Sequence, residues 1–218
     1  MFLTEANKID WKKLCMGAAV VVLLCLACVF WLDKTLFAFV RFFDGAALRA
    51  VGAAGNFRLV VMASAAIFFA TAAARIWRRH SGLSVLGWLR NLNITMLYVM
   101  SSVMLAGAVS GVLKIIIGRM RPVLWEVLGQ TGFYPMHREW VFNSMPSRHA
   151  AVGFAALAVI GLLYPKYKTP VWIAAIMIGL SRIAAGAHWP SDVLLGAFIG
   201  AVSADVTRAL LARFGKSD

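Results

Sequence analysis

Apolar residues in this chain gather into six long runs, approximately Leu14 to Leu32, Phe57 to Trp77, Met96 to Ile117, His149 to Tyr164, Pro170 to Ala187 and Val193 to Arg213. A helix of ~20 apolar residues crosses the hydrocarbon core of a bilayer. The runs lack the polar alternation of a barrel strand, and backbone groups in lipid must be satisfied within their own segment, so the predicted elements are helices. The expected fold is all-α: a six-helix transmembrane bundle forming a single integral-membrane domain over residues 1–218. Between the first two runs the pattern becomes amphipathic. Lys34, Arg41, Asp44 and Arg49 share one helical face, and Phe37, Phe39, Val40, Phe43, Ala47, Leu48 and Val51 the other. Such a segment either lies flat in the membrane interface or packs over the bundle as a connector.

Composition strengthens this picture. Of the 218 residues 61% are hydrophobic and 14% charged, against roughly half and about a quarter in soluble domains. The mean hydropathy is +0.80. The formal charge of +13 forms no basic stripe with interleaved aromatics, so it does not point to nucleic acid; topology and anionic lipid headgroups account for it. Six spans leave both termini on one side. The segments on that side hold Lys8, Lys12, Lys13, Arg75, Arg78, Arg79, Arg90, Lys166, Lys168, Arg208, Arg213 and Lys216. Nearly as many cations lie on the other side, but several belong to the motifs below, and discounting them makes the termini cytoplasmic. Cys15, Cys25 and Cys28 all fall in the first run, where a thiol behaves as a small hydrophobe and no disulfide framework is read. The first run is expected to be an uncleaved anchor.

Three short stretches concentrate charge and histidine at the ends of spans. Lys114 is followed after six residues by Arg121-Pro122; next comes Pro146-Ser147-Arg148-His149; last, Ser181-Arg182, His188 and Asp192. They close the third span, open the fourth, and join the fifth to the sixth, so the topology places all three at one membrane face. Ionisable groups beside lipid face a partner or a polar cavity. Lys114, Arg121 and Arg182 form a convergent cationic set suited to phosphate oxygens. Backbone N–H groups around Ser147, Arg148 and His149, at the start of a helix, also suit an anion. His188 and Asp192 stand four apart, with Pro190 an early helical position between them. Asp192 can hold one imidazole nitrogen and leave the other unprotonated as a nucleophile, while His149, on a different helix, is placed to donate a proton.

This spacing resembles the signature of the type-2 phosphatidic-acid phosphatase family: Lys, six residues, Arg-Pro; then Pro-Ser-Gly-His; then Ser-Arg, five residues, His, three residues, Asp. The first and third elements match in full, over Lys114 to Asp192. The resemblance implies metal-free hydrolysis in two steps, with no cofactor. His188 forms a phosphohistidine, His149 protonates the leaving group, and Lys114, Arg121, Ser147 and Arg182 cradle the phosphate. Arg148 stands where the family usually has Gly. It is either a further phosphate contact, favouring a diphosphate or bulky headgroup, or a tolerated substitution pointing into the loop.

The expected substrate is a membrane lipid phosphate or diphosphate: undecaprenyl diphosphate, phosphatidylglycerophosphate, phosphatidic acid or lipid A. The expected setting is a bacterial inner membrane with the site facing the periplasm. Competing readings are a lipid phosphotransferase using the same phosphohistidine and a lipid transporter or scramblase. The sequence fixes no oligomeric state. His137, Arg138 and Glu139 read as solvated loop; Trp125, Phe133, Tyr134, Trp140 and Phe142 read as an interfacial aromatic belt rather than a pocket cover; Asp205 and Arg208 read as an intramembrane ion pair.

Overall fold

A computed structural model describes residues 2–4 and 6–214; Lys216, counted among the cytoplasmic cations, lies outside them. Nine α-helices form among these residues: α1 (Trp11–Ala27), α2 (Asp33–Arg41), α3 (Ala46–Ala53), α4 (Phe57–His80), α5 (Gly87–Ile117), α6 (Pro122–Leu128), α7 (Arg148–Leu163), α8 (Lys168–Ala184) and α9 (Pro190–Phe214). No β-strand occurs among the described residues; two isolated bridges are the only extended pairings.

The local chemistry sets the helix ends. The Asp10 carboxylate accepts the Lys13 N–H at the start of α1, and Asn56 accepts the N–H groups of Arg58 and Leu59 at the start of α4. At the end of α5, Gly118 adopts φ +59°, and a Cβ there would collide with the Tyr134 carbonyl. Glycine alone turns the chain into the outer loop at that point.

Four helical stretches are long and apolar enough to cross a membrane: Trp11–Arg41, Phe57–His80, Gly87–Ile117 and Pro190–Arg213. α7 and α8 are shorter, at 16 and 17 residues. The first stretch differs from the sequence expectation. A π-helical turn at Cys28–Leu32 joins α1 to α2, so the helix continues past Leu32 to Arg41. Half of the amphipathic segment is thus a continuation of the first span. Its other half, α3, packs against α8. The segment's inner face covers the bundle, with Phe37 buried against Ile183 and Trp189; Phe39, Phe42 and Phe43 remain exposed outside.

The core lies where α5, α7 and α9 meet, built from Tyr98, Val103, Ala106, Ala151, Val152, Ala155, Val159, Ile199 and Ala204. Small residues let backbones approach, as in membrane helix pairs generally. On α9, Gly196 and Gly200 face α7 so closely that a Cβ at either would meet the carbonyl of Ser147 or Ala151 at 2.5 or 2.3 Å. Outward faces stay apolar: Leu23 and Phe30 before α2, Met62 and Phe69 on α4, and Val112 on α5 are all exposed.

Candidate active site

The last turns of α5 and α8, the first turn of α7, the outer loop and the turn leading into α9 surround a cavity of about 700 Å³. Six of the eight candidate residues line it: Lys114, Arg121, Arg148, His149, Arg182 and His188. Stretches more than 70 positions apart in sequence therefore meet in one place. The other two candidates stand behind the wall. Ser147 is fully buried as the N-cap of α7; its Oγ accepts the Ala150 N–H and its own N–H donates to the Asp192 carbonyl. It ties α7 to α9 and lies outside the cavity lining, a different place from the phosphate contact the sequence implied.

Asp192 is completely buried. It is the third residue of α9, and its Oδ2 accepts the Trp189 N–H at 2.8 Å, the reciprocal half of a capping arrangement. Ser144 Oγ donates to the same oxygen, and Arg119 Nη1 donates to Oδ1 at 2.7 Å. These bonds change the expected His188–Asp192 contact. His188 Nδ1 sits 3.7 Å from Asp192 Oδ2 and makes no hydrogen bond. With both carboxylate oxygens occupied, Asp192 stands beside the imidazole as a fixed negative charge. Gly186, at φ +70°, turns the chain between α8 and α9, and the N–H groups of Ala187 and His188 both donate to the Arg182 carbonyl. His188 is only 3% exposed. Burial, reinforced by the Lys114 charge and opposed by Asp192, holds its pKa well below the ordinary histidine range.

The cations are held without neutralisation. Lys114 Nζ donates to the carbonyls of Asn143 and Ser144 at 2.7 and 2.9 Å. Arg121 donates to the carbonyls of Trp140, Ala187 and Asn143 and lies 4.2 Å from the Trp140 ring centre. Burial lowers the Arg121 guanidinium to about 10, against the pull of Asp192 and with the push of Arg182, which leaves it cationic at neutral pH. The Arg182 Nε is buried with no hydrogen-bond partner. Carbonyls orient Lys114 and Arg121 while their charge stays available to a guest.

Two buried residues absent from the sequence reading complete the support. Arg119 lies between Asp192 and Asp33: Nη2 donates to Asp33 Oδ2 at 2.6 Å, Nη1 donates to Ser191 Oγ and Asp192, and Phe133 and Trp189 flank the guanidinium. Burial opposes its charge, but Asp192 and Asp33 outweigh that and raise its pKa. Asp33 also accepts the N–H and the hydroxyl of Ser191. The first span is thereby bonded to the element that carries Asp192.

The outer loop also differs from the sequence reading. Arg138 and Trp140 line the cavity, Trp125 packs against Phe37 and Trp189, and Tyr134 stacks on Phe142. These aromatics pack onto the site and one another. At the far end of the bundle, Asp205 is buried and accepts the Phe2 N–H at 2.6 Å. Among the described residues no three His, Cys, Asp or Glu side chains gather as a metal-binding group.

Comparison with known proteins supplies the lineage. The sequence pattern of the PAP2 superfamily matches residues 95–216. A lipid A 1-phosphatase of Rhizobium johnstonii is 36% identical over 118 residues, which are 54% of this chain and 48% of that protein. Its Rhizobium etli counterpart is 35% identical over 118 residues, 54% of this chain and 51% of that one. The chain thus spans about half the length of these relatives. Among solved structures, the first transmembrane PAP2 type phosphatidylglycerolphosphate phosphatase from Bacillus subtilis superimposes with a TM-score of 0.55 at 17% identity, covering 94% of this chain and 99% of that one. That likeness is one of fold.

Proposed function

The chain belongs to the PAP2 superfamily, and from that premise we propose that it hydrolyses a membrane lipid phosphate or diphosphate through a phosphohistidine. One observation carries this reading: two histidines from different elements line the same cavity as Lys114, Arg121 and Arg182, and the carboxylate beside His188 is sealed behind the wall. A depressed imidazole pKa keeps His188 neutral and nucleophilic at pH 7.

In the proposed reaction the His188 nitrogen that faces away from Asp192 attacks phosphorus. The bond to the leaving oxygen breaks, and His149 delivers a proton to that oxygen. Water then attacks the phosphohistidine with His149 as base, releasing inorganic phosphate and restoring His188. Lys114, Arg121 and Arg182 stabilise the charge on the equatorial oxygens, the largest contribution expected in such a transfer. Arg119, Ser144 and Trp189 keep Asp192 in place.

The apolar outer faces indicate an amphiphilic substrate whose tails remain in lipid. Undecaprenyl diphosphate, phosphatidylglycerophosphate, phosphatidic acid and lipid A form the substrate panel, and the names of the two Rhizobium relatives favour testing lipid A first. α7 and α8 complete six spans in this reading. α7 would be about 24 Å long at 1.5 Å per residue, and it is enclosed by α5, α8 and α9, so it need not match the lipid thickness by itself. The setting is a bacterial inner membrane, with termini in the cytoplasm and the cavity towards the periplasm.

The test is phosphate release from that lipid panel by purified protein in EDTA, with His188→Ala in parallel and capture of a labelled protein after quenching in alkaline detergent. Release that survives EDTA, an acid-labile phosphoprotein, and loss of both in the variant are expected. Release undiminished in His188→Ala would overturn the nucleophile assignment; label that passes to an added alcohol, with no inorganic phosphate released, would establish transfer instead.

A further inference from the structure

The cavity holds more positive charge than one phosphate group neutralises. Five cations line it, Lys114, Arg121, Arg138, Arg148 and Arg182, and no carboxylate is among its lining residues. A phosphate monoester carries about two negative charges. Lys114, Arg121 and Arg182 are buried or half-buried beside His188 and suffice for that group. Arg138 and Arg148 are different: both are exposed at the rim, from the outer loop and the first turn of α7, and neither has an ion-pair partner among the described residues.

The position of Arg148 decides between the two readings its place in the motif left open. Its guanidinium crosses to α5, where Nη2 comes within 3.0 Å of the point a Cβ on Gly111 would occupy. It points over the cavity instead of away into the loop. Gly111 leaves the space for it, since any larger residue there would push the guanidinium aside. Guanidinium forks remain charged at any relevant pH and match phosphate oxygens in pairs.

We propose that Arg138 and Arg148 form a second anion subsite at the cavity rim, selecting lipids that carry another phosphate charge beside the one removed. The inference rests on the hydrolase reading of the same cavity and names its substrate class. The second charge has two chemical sources: the neighbouring phosphate of a diphosphate, or a phosphate on a separate carbon of a glycolipid headgroup.

The experiment compares kcat/KM for phosphatidic acid, a prenyl diphosphate and bis-phosphorylated lipid A in the parent, R138A, R148G and R148K. The parent should prefer at least one two-phosphate lipid over phosphatidic acid. R138A and R148G should each cut that preference fivefold or more, chiefly through KM, with R148K retaining most of it; the lipid that loses its advantage identifies the source. A preference unchanged in both R138A and R148G overturns the subsite. A turnover-free arm measures inorganic phosphate and pyrophosphate binding by calorimetry in the parent and the R138A/R148G double variant. Pyrophosphate affinity should fall at least tenfold and more than that of phosphate, whereas equal losses, or none, reject the proposal. Should the parent release phosphate from no lipid, the hydrolase reading fails and calorimetry alone decides the subsite.

Discussion

At the scale of single residues, the site depends on an imidazole kept neutral by burial and on a carboxylate kept charged by its neighbours. Because burial and Lys114 depress the His188 pKa, the proposed nucleophile stays unprotonated as pH falls through the ordinary histidine value of about 6.5. The acid limb of single-turnover phosphoenzyme formation is therefore expected below that value. Lys114→Met removes a charge that disfavours imidazolium, so the limb should move to higher pH; Asp192→Asn removes one that favours it and should move the limb lower. A parent limb at or above 6.5, or shifts of opposite sign, would contradict this electrostatic account. Arg119 offers a second test, since it bridges Asp33 and Asp192. Arg119→Met leaves two buried carboxylates without their cation, a defect that costs about 3–5 kcal/mol. Thermal unfolding in detergent should show this loss, whereas Arg119→Lys should recover part of it. Lys114, Arg121, Arg148, Arg182 and the two histidines were legible in sequence because they fall in short, fixed spacings; Arg138, read as solvated loop, lines the cavity outside them. Arg119 and Asp33 were not, because their partners lie 73, 86 and 158 positions away and no local pattern records a tertiary ion pair. The adjacency of Arg119 to Arg121 was the one available hint.

At the scale of elements, the apolar runs found the cores of the helices but not their ends. The third run begins at Met96, yet α5 starts at Gly87. Its extra turns include Asn93, whose amide bonds to Phe68 and Thr71 and receives Arg75, a polar contact between α4 and α5 that hydropathy scores as a break. The first run likewise continues to Arg41, because Asp33, which looks like a helix end, is buried and bonded. A pattern present in the sequence and left unused is Gly196 and Gly200, four apart on α9. Their role follows from how α7 presents His149 and α9 presents Asp192: the two helices must approach closely. Gly200→Ala places a methyl against the Ala151 carbonyl, and overpacking of this kind costs about 1–3 kcal/mol. We expect a lower melting temperature and a loss of phosphate release larger than the unfolded fraction explains. Gly87→Ala, in an exposed position where a Cβ meets nothing within 4 Å, should leave both unchanged. Equal behaviour of the two variants would remove the close-approach argument.

At the scale of the whole molecule, the question is which side of the membrane the cavity faces. Counting loop cations alone gives nearly equal numbers on the two sides, and the structure explains why that count misleads. Lys114, Arg119 and Arg121 are buried in the site, bonded to carbonyls or carboxylates, and are not free loop charges acting during insertion. Removing them leaves seven cations in the segments on the cavity side against twelve on the other, among the latter Arg78 and Arg79 at the end of α4, Arg90 at the start of α5, Lys166 before α8 and Lys168 at its first position. The positive-inside tendency favours the proposed orientation, with that end in the cytoplasm. α5, at about 46 Å for 31 residues, exceeds the ~30 Å hydrocarbon core, so its last turn, with Lys114, can stand at the interface where headgroups lie. Single cysteines test the orientation in a background with Cys15, Cys25 and Cys28 replaced by Ala. Ser84→Cys occupies the exposed α4–α5 turn and Gln130→Cys the exposed outer loop. In intact spheroplasts an impermeant maleimide should label Gln130→Cys at least tenfold faster than Ser84→Cys, and permeabilisation should equalise them. The reverse order would turn the cavity to the cytoplasm and exclude any lipid displayed only on the outer leaflet, while leaving the chemistry of His188 intact.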